Sequence, residues 1–144
     1  MVDVYKTLKD LDYFVDNDYL QQYARLVERH TRTLIRGTTN KHHIIPKCWF
    51  KLKNIPVNND LNNLVNLPYR EHILAHYYLC LCTEDPFKYG NQLGLVCLLN
   101  GKVLKPTDKR LLENLPLYNN IYEDYVRKLK SNYKMYLPTE DDEW

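Results

Sequence analysis

The stretch "KHHIIP", residues 41–46, sets two histidines side by side ahead of two β-branched residues and a proline. Ile44 and Ile45 favour an extended backbone, and Pro46 restricts the backbone around it. In a strand, successive side chains point to opposite faces, so His42 and His43 are expected to face different ways. One can then turn into a site while its neighbour does something else. The chain has five histidines, the others being His30, His72 and His76.

Working outward, "LVNL" at 64–67 reads as a second short strand, and "KLKNIPVNNDLNN" between the two, rich in Asn and Pro, reads as a loop. From Pro68, "PYREHILAHYYLCLC" is strongly helical, with proline suited to a first turn. His72 and His76 lie four apart on that helix and share a face, where two imidazoles can grip one metal ion. The pair is not the H-E-x-x-H of zinc proteases, because position 73 is isoleucine and Glu71 precedes the first histidine. Taken alone, such a pair is common on ordinary helices.

Upstream, residues 16–36 carry Tyr19, Leu20, Tyr23, Leu26 and Val27 at helical spacing, with Asp16, Asn17 or Asp18 as N-cap, until "GTTN" at 37–40 breaks the pattern. His30 reads as an ordinary residue near that helix's end. Downstream of "TEDP", two further helical stretches are expected over 86–99 and 117–135, separated by "NGKVLKPTD". No internal repeat or low-complexity segment is visible.

A chain of 144 residues with 44% hydrophobic content is long enough for one domain with a real core. No apolar run approaches the length of a membrane span, and "MVDVYKTLKD" has charges where a signal peptide would be apolar. A cytoplasmic protein without membrane partners is the expectation. The cysteines at 48, 80, 82 and 97 include no C-x-x-C pair, which argues against a cysteine zinc knuckle and for reduced, mostly buried thiols. Net charge is only +2, but setting aside the four acids of "TEDDEW" leaves 20 basic against 14 acidic residues. That balance permits a phosphate-binding surface without demanding one.

Two histidines on a strand, a loop, a second strand led by asparagine, and a helix with ligand-spaced histidines make one compact unit. "KHHIIPKCW…LNNLVNLPYREHILAHYYL" resembles the HNH endonuclease family, and most closely its small phage-type homing endonucleases. "YNNIYEDYVRKLK" is more loosely similar to the tail of that group. The resemblance implies an α+β, mostly helical fold. A ββα-metal core over residues 41–83 would be flanked by an N-terminal helical segment (1–40) and a C-terminal one with an acidic tail (84–144), all in a single domain.

The same resemblance implies roles. His42, His72 and His76 match the family's metal ligands, His43 its general base, and Asn63 the asparagine that holds the loop and the base in place. His72 lies nine positions after Asn63 and His76 four positions after His72, as the family pattern requires. The implied function is DNA phosphodiester hydrolysis, by nicking or double-strand cutting, with one divalent ion: Mg²⁺, Mn²⁺, Zn²⁺ or Ni²⁺. Three imidazoles suit a transition metal, while substrate phosphate and water would suit magnesium. Alternatives are a toxin-like nuclease with an immunity protein, and a DNA-binding module that keeps the fold without cutting. A homodimer is left open.

For the nucleic acid, Lys41, Lys47, Lys51 and Lys53 flank the first strand and loop, and Arg70 opens the histidine helix. Arg25, Arg29, Arg32 and Arg36 recur at spacings of four, three and four, a stripe able to track a phosphate backbone. No helix-turn-helix or zinc-finger signature is evident, so no target sequence can be read.

Overall fold

The computed structural model describes residues 3–31, 39–100 and 114–131. Among these residues six α-helices alternate with one small sheet in the order α1 (Val4–Leu8), α2 (Asp18–Thr31), β1 (Asn40–His43), α3 (Lys47–Leu52), β2 (Leu64–Leu67), α4 (Tyr69–Leu81), α5 (Phe87–Asn100) and α6 (Tyr118–Lys130). A single 3₁₀ turn, Leu61–Asn63, leads directly into β2. The described chain is thus mostly helical with a two-stranded sheet, and no helix in it is long and apolar enough to cross a membrane.

The strands pair antiparallel, with His42 opposite Val65 and His43 opposite Leu64. Two four-residue strands cannot hold together alone, so the sheet depends on the helices packed against it. The first strand is shorter at its far end than the sequence suggests: Ile44 and Ile45 lie in a bend, although both remain buried. The segment after Pro46 also differs from expectation. "KCWFKL" forms α3, so the loop begins at Lys53 rather than Lys51. Tertiary contacts explain the helix: Cys48, Trp49 and Phe50 are buried, and the Trp49 indole N–H donates to the Asp12 carbonyl at 2.9 Å.

α4 is the central element, with buried residues on nearly every side. A helix apolar all round belongs inside a core. One hydrophobic cluster lies toward α1, α2, α3 and the strands, built on Leu20, Tyr23, Val27, Ile44, Leu67 and Leu79. A second lies toward α5 and α6, built on Ile73, Tyr77, Leu95, Leu99 and Ile121. Leu74 and Tyr78 touch both.

α2 begins where Asn17 accepts from the backbone N–H of Tyr19 (3.0 Å) and Leu20 (3.1 Å), which selects the cap among the three candidates. The same side chain donates to the Leu81 carbonyl at 3.0 Å and so ties the start of α2 to the end of α4. His30 sits in the last turn of α2 and its Nδ1 meets the Leu26 carbonyl at 2.8 Å. Cys48, Cys80 and Cys82 are buried free thiols, whereas Cys97 is exposed. Gly37 and Thr38 of the "GTTN" break at 37–40, the "NGKVLKPTD" separator beyond Asn100, the stretch 132–135 and the acidic tail lie outside the described residues.

Candidate metal centre

Strand alternation turns His42 away from solvent toward α2 and α4, where it meets His72 and His76, one helical turn apart. The three rings are 1–3% exposed. Their centroids stand 4.8–5.2 Å apart, and one ligand nitrogen from each lies within 4.8 Å of the others. The Nε2 atoms of His72 and His76 are 3.1 Å apart. Two nitrogens sharing a tetrahedral ion at about 2.0–2.1 Å stand roughly 3.3–3.4 Å from one another, so this pair is already close to that separation.

The outward-facing nitrogens of His72 and His42 have partners. His72 Nδ1 donates to Asn40 Oδ1 at 3.2 Å, leaving its Nε2 lone pair toward the pocket. His42 Nε2 lies 2.7 Å from the Tyr23 hydroxyl, while its Nδ1 is buried with no hydrogen-bond partner. A buried polar nitrogen without a partner is costly unless something else occupies it. Burial, then the rings of His72, His76 and His43, holds the His42 pKa well below the usual histidine value, so the ring is neutral at pH 7, the form a metal ligand requires. These three residues fit a divalent transition metal.

His43 points elsewhere. Its Nε2 donates to Asn59 Oδ1 at 2.7 Å, which places the lone pair of the neutral ring on Nδ1. The sequence led us to expect Asn63 as this partner, and the structure gives that place to Asn59. Asn63 instead braces the backbone around it. Its Oδ1 accepts from the Ile45 N–H at 2.9 Å, its Nδ2 donates to the carbonyls of Asn58 (2.9 Å) and Ile45 (3.3 Å), and its own carbonyl accepts from Ile44 at 2.9 Å. Asn63 therefore holds the loop that carries Asn59, one step removed from the imidazole.

The basic residues divide. Lys41, Lys53 and Arg70 are exposed and Lys47 and Lys51 half-buried, but Lys53 is ion-paired with Asp12. Arg25 and Arg29 are exposed on α2, on the side opposite the buried face that carries Tyr23. Arg32 and Arg36 lie outside the described residues. Sequence reasoning missed three residues that touch the histidines: Tyr23 and Asn40, whose types signal nothing beyond a core position and a strand start, and Asn59, one of several loop asparagines.

A stretch of 67 residues is 36% identical to the probable mobile endonuclease D of Enterobacteria phage T4; the match covers 43% of this chain and 24% of that protein. The chain thus spans about a quarter of the relative's length. No family model matches the chain, and no solved structure does.

Proposed function

We propose that the chain is a metal-dependent HNH-type endonuclease that hydrolyses DNA phosphodiester bonds, of the kind carried by phage or mobile elements. The observation that carries this reading is the division at the adjacent pair: His42 joins two buried histidines in one pocket while His43 turns to the loop. The partial likeness to a probable mobile endonuclease supports it.

In this reading His42, His72 and His76 hold the ion. Bound there, a divalent cation supplies positive charge to the scissile phosphate and to the departing 3′-oxygen. His43 takes the proton of the attacking water at Nδ1, the nitrogen that its bond to Asn59 leaves bare. Asn59 fixes the tautomer and ring plane, and Asn63 fixes Asn59 by closing the loop on both sides. Lys41, exposed on β1, and Arg70, exposed in the first turn of α4, would meet neighbouring phosphates.

Supercoiled plasmid incubated with the full chain and Mg²⁺, Mn²⁺, Zn²⁺ or Ni²⁺ tests the reading. Nicked or linear product is expected with at least one ion and none with EDTA. Intact plasmid under every ion, from a protein that binds DNA, would leave a non-cleaving module as the better description.

A further inference from the structure

Tyr23 lies on α2, outside the strand–strand–helix unit that carries the histidines, and is fully buried. Its hydroxyl oxygen is 2.7 Å from His42 Nε2 and 2.7 Å from the Ile44 carbonyl oxygen. A phenol has one proton, and an ordinary tyrosine, titrating near ~10, keeps it at neutral pH. A carbonyl oxygen can only accept. If the hydroxyl pointed its proton at His42, its lone pairs would face those of the Ile44 carbonyl at contact distance. One arrangement satisfies all three groups: Tyr23 donates to Ile44, and His42 Nε2–H donates to Tyr23. The neutral ring then has its lone pair on Nδ1, the atom with no hydrogen-bond partner. The opposite tautomer fails twice, because Nε2 would face an oxygen whose proton is committed and Nδ1–H would point where no acceptor lies.

We infer that Tyr23 is a positioning residue for the metal centre, holding His42 in the Nε2–H tautomer so that Nδ1 is presented to the ion. The inference rests on the metal reading of the three histidines. A bulky amphipathic side chain suits the task, since its ring packs edge-on against the imidazole, with centroids 6.0 Å apart and planes at 71°, while its hydroxyl fixes the proton. The hydrogen-bond chain runs from His42 through Tyr23 to Ile44, whose N–H is bonded to the Asn63 carbonyl. α2 therefore pins the end of β1 at the point where the chain passes from the metal ligand to the loop.

The test begins with metal-free full-length protein labelled with ¹⁵N at histidine, read by long-range ¹H–¹⁵N correlation. His42 is expected to show its proton on Nε2. In Tyr23→Phe the ring is kept and the acceptor removed, so His42 is expected to sample both tautomers. Co²⁺ binding to that variant should weaken about 10–100-fold, the usual effect of losing a residue that orients a metal ligand. A parent that binds Co²⁺ with the proton on Nδ1 overturns the inference alone. So does a Tyr23→Phe protein, folded by circular dichroism, that binds Co²⁺ as tightly as the parent. A parent that binds no Co²⁺ while keeping the proton on Nε2 overturns the metal reading beneath it. If Tyr23→Phe does not fold, the parent spectrum and titration decide the matter without it.

Discussion

At Asn63 one side-chain amide stands in for a peptide unit. It presents an acceptor to Ile45 N–H and donors to the carbonyls of Asn58 and Ile45, continuing the pairing of β1 and β2 past their last ladder bonds. Only an amide of this length supplies both polarities, so Asn63→Asp should fail nearly as badly as Asn63→Ala. The carboxylate keeps the acceptor but turns lone pairs on the buried Ile45 carbonyl and the half-buried Asn58 carbonyl. Each variant should lose about 1–3 kcal/mol for every buried group left unsatisfied, measured by urea unfolding. An Asp variant as stable as the parent would show that the loop is held by something else. Asn59 acts differently, because it is exposed and touches the imidazole directly. Asn59→Ala should leave the unfolding midpoint nearly unchanged while lowering cleavage, whereas His43→Ala should lower cleavage by about 10²–10⁴-fold. Equal activity of Asn59→Ala and the parent would remove Asn59 from the orientation of the base.

Elements long enough to show a period were legible in the sequence. α2 and α6 repeat their apolar residues at helical spacing over fourteen and thirteen positions, α4 shows itself by its length and the proline before it, and the His72–His76 spacing puts both rings on one face wherever the helix begins. α3 has six residues, too few for a period, and forms because Trp49 and its neighbours find the core. The join of α5 to α6 was not legible at all, since its partners are 32 to 43 residues apart. Lys128, only 9% exposed, reaches Asp85 (2.8 Å), Asp124 (2.9 Å) and Gln92 (3.1 Å), and Gln92 donates to Asp124 at 2.8 Å. Partial burial pushes the Asp124 carboxyl upward, but bonds from Gln92, Lys128 and Arg127 outweigh it and hold the pKa at about 2. An unfolded aspartate titrates near ~3.9, so this contribution is complete above that pH and lost as pH falls toward 2. Asp124→Asn should therefore be less stable than the parent at pH 7, with the gap closing between about pH 4 and pH 2. Urea midpoints at about pH 7, 4 and 2.5 measure it, and a constant gap would mean that the charge contributes nothing.

Across the whole molecule, the metal reading ties binding to folding. The three candidate ligands come from β1 and α4, and the residue that orients the first of them comes from α2. Helical spacing marks Tyr23 as a core residue, but its partner His42 is 19 positions on, beyond any local pattern. That is why the histidine cluster was legible and its support was not. An unfolded chain scatters these imidazoles, so an ion held by all three favours the folded state alone. At a free ion concentration about 100 times the dissociation constant, this linkage is worth about 2.7 kcal/mol. In a chain of 144 residues each kcal/mol moves the melting temperature by roughly 2–4 °C, so Zn²⁺ or Ni²⁺ should raise Tm by roughly 5–10 °C, reversibly with EDTA. His76→Ala removes a ligand and should abolish most of that rise. His43 faces Asn59 rather than the pocket, so His43→Ala should keep it. Loss of the ion-dependent rise in His43→Ala, with its retention in His76→Ala, would reverse the division of labour between the adjacent histidines and the helix pair. Scanning calorimetry on the three proteins, with and without ion, separates these outcomes without any substrate.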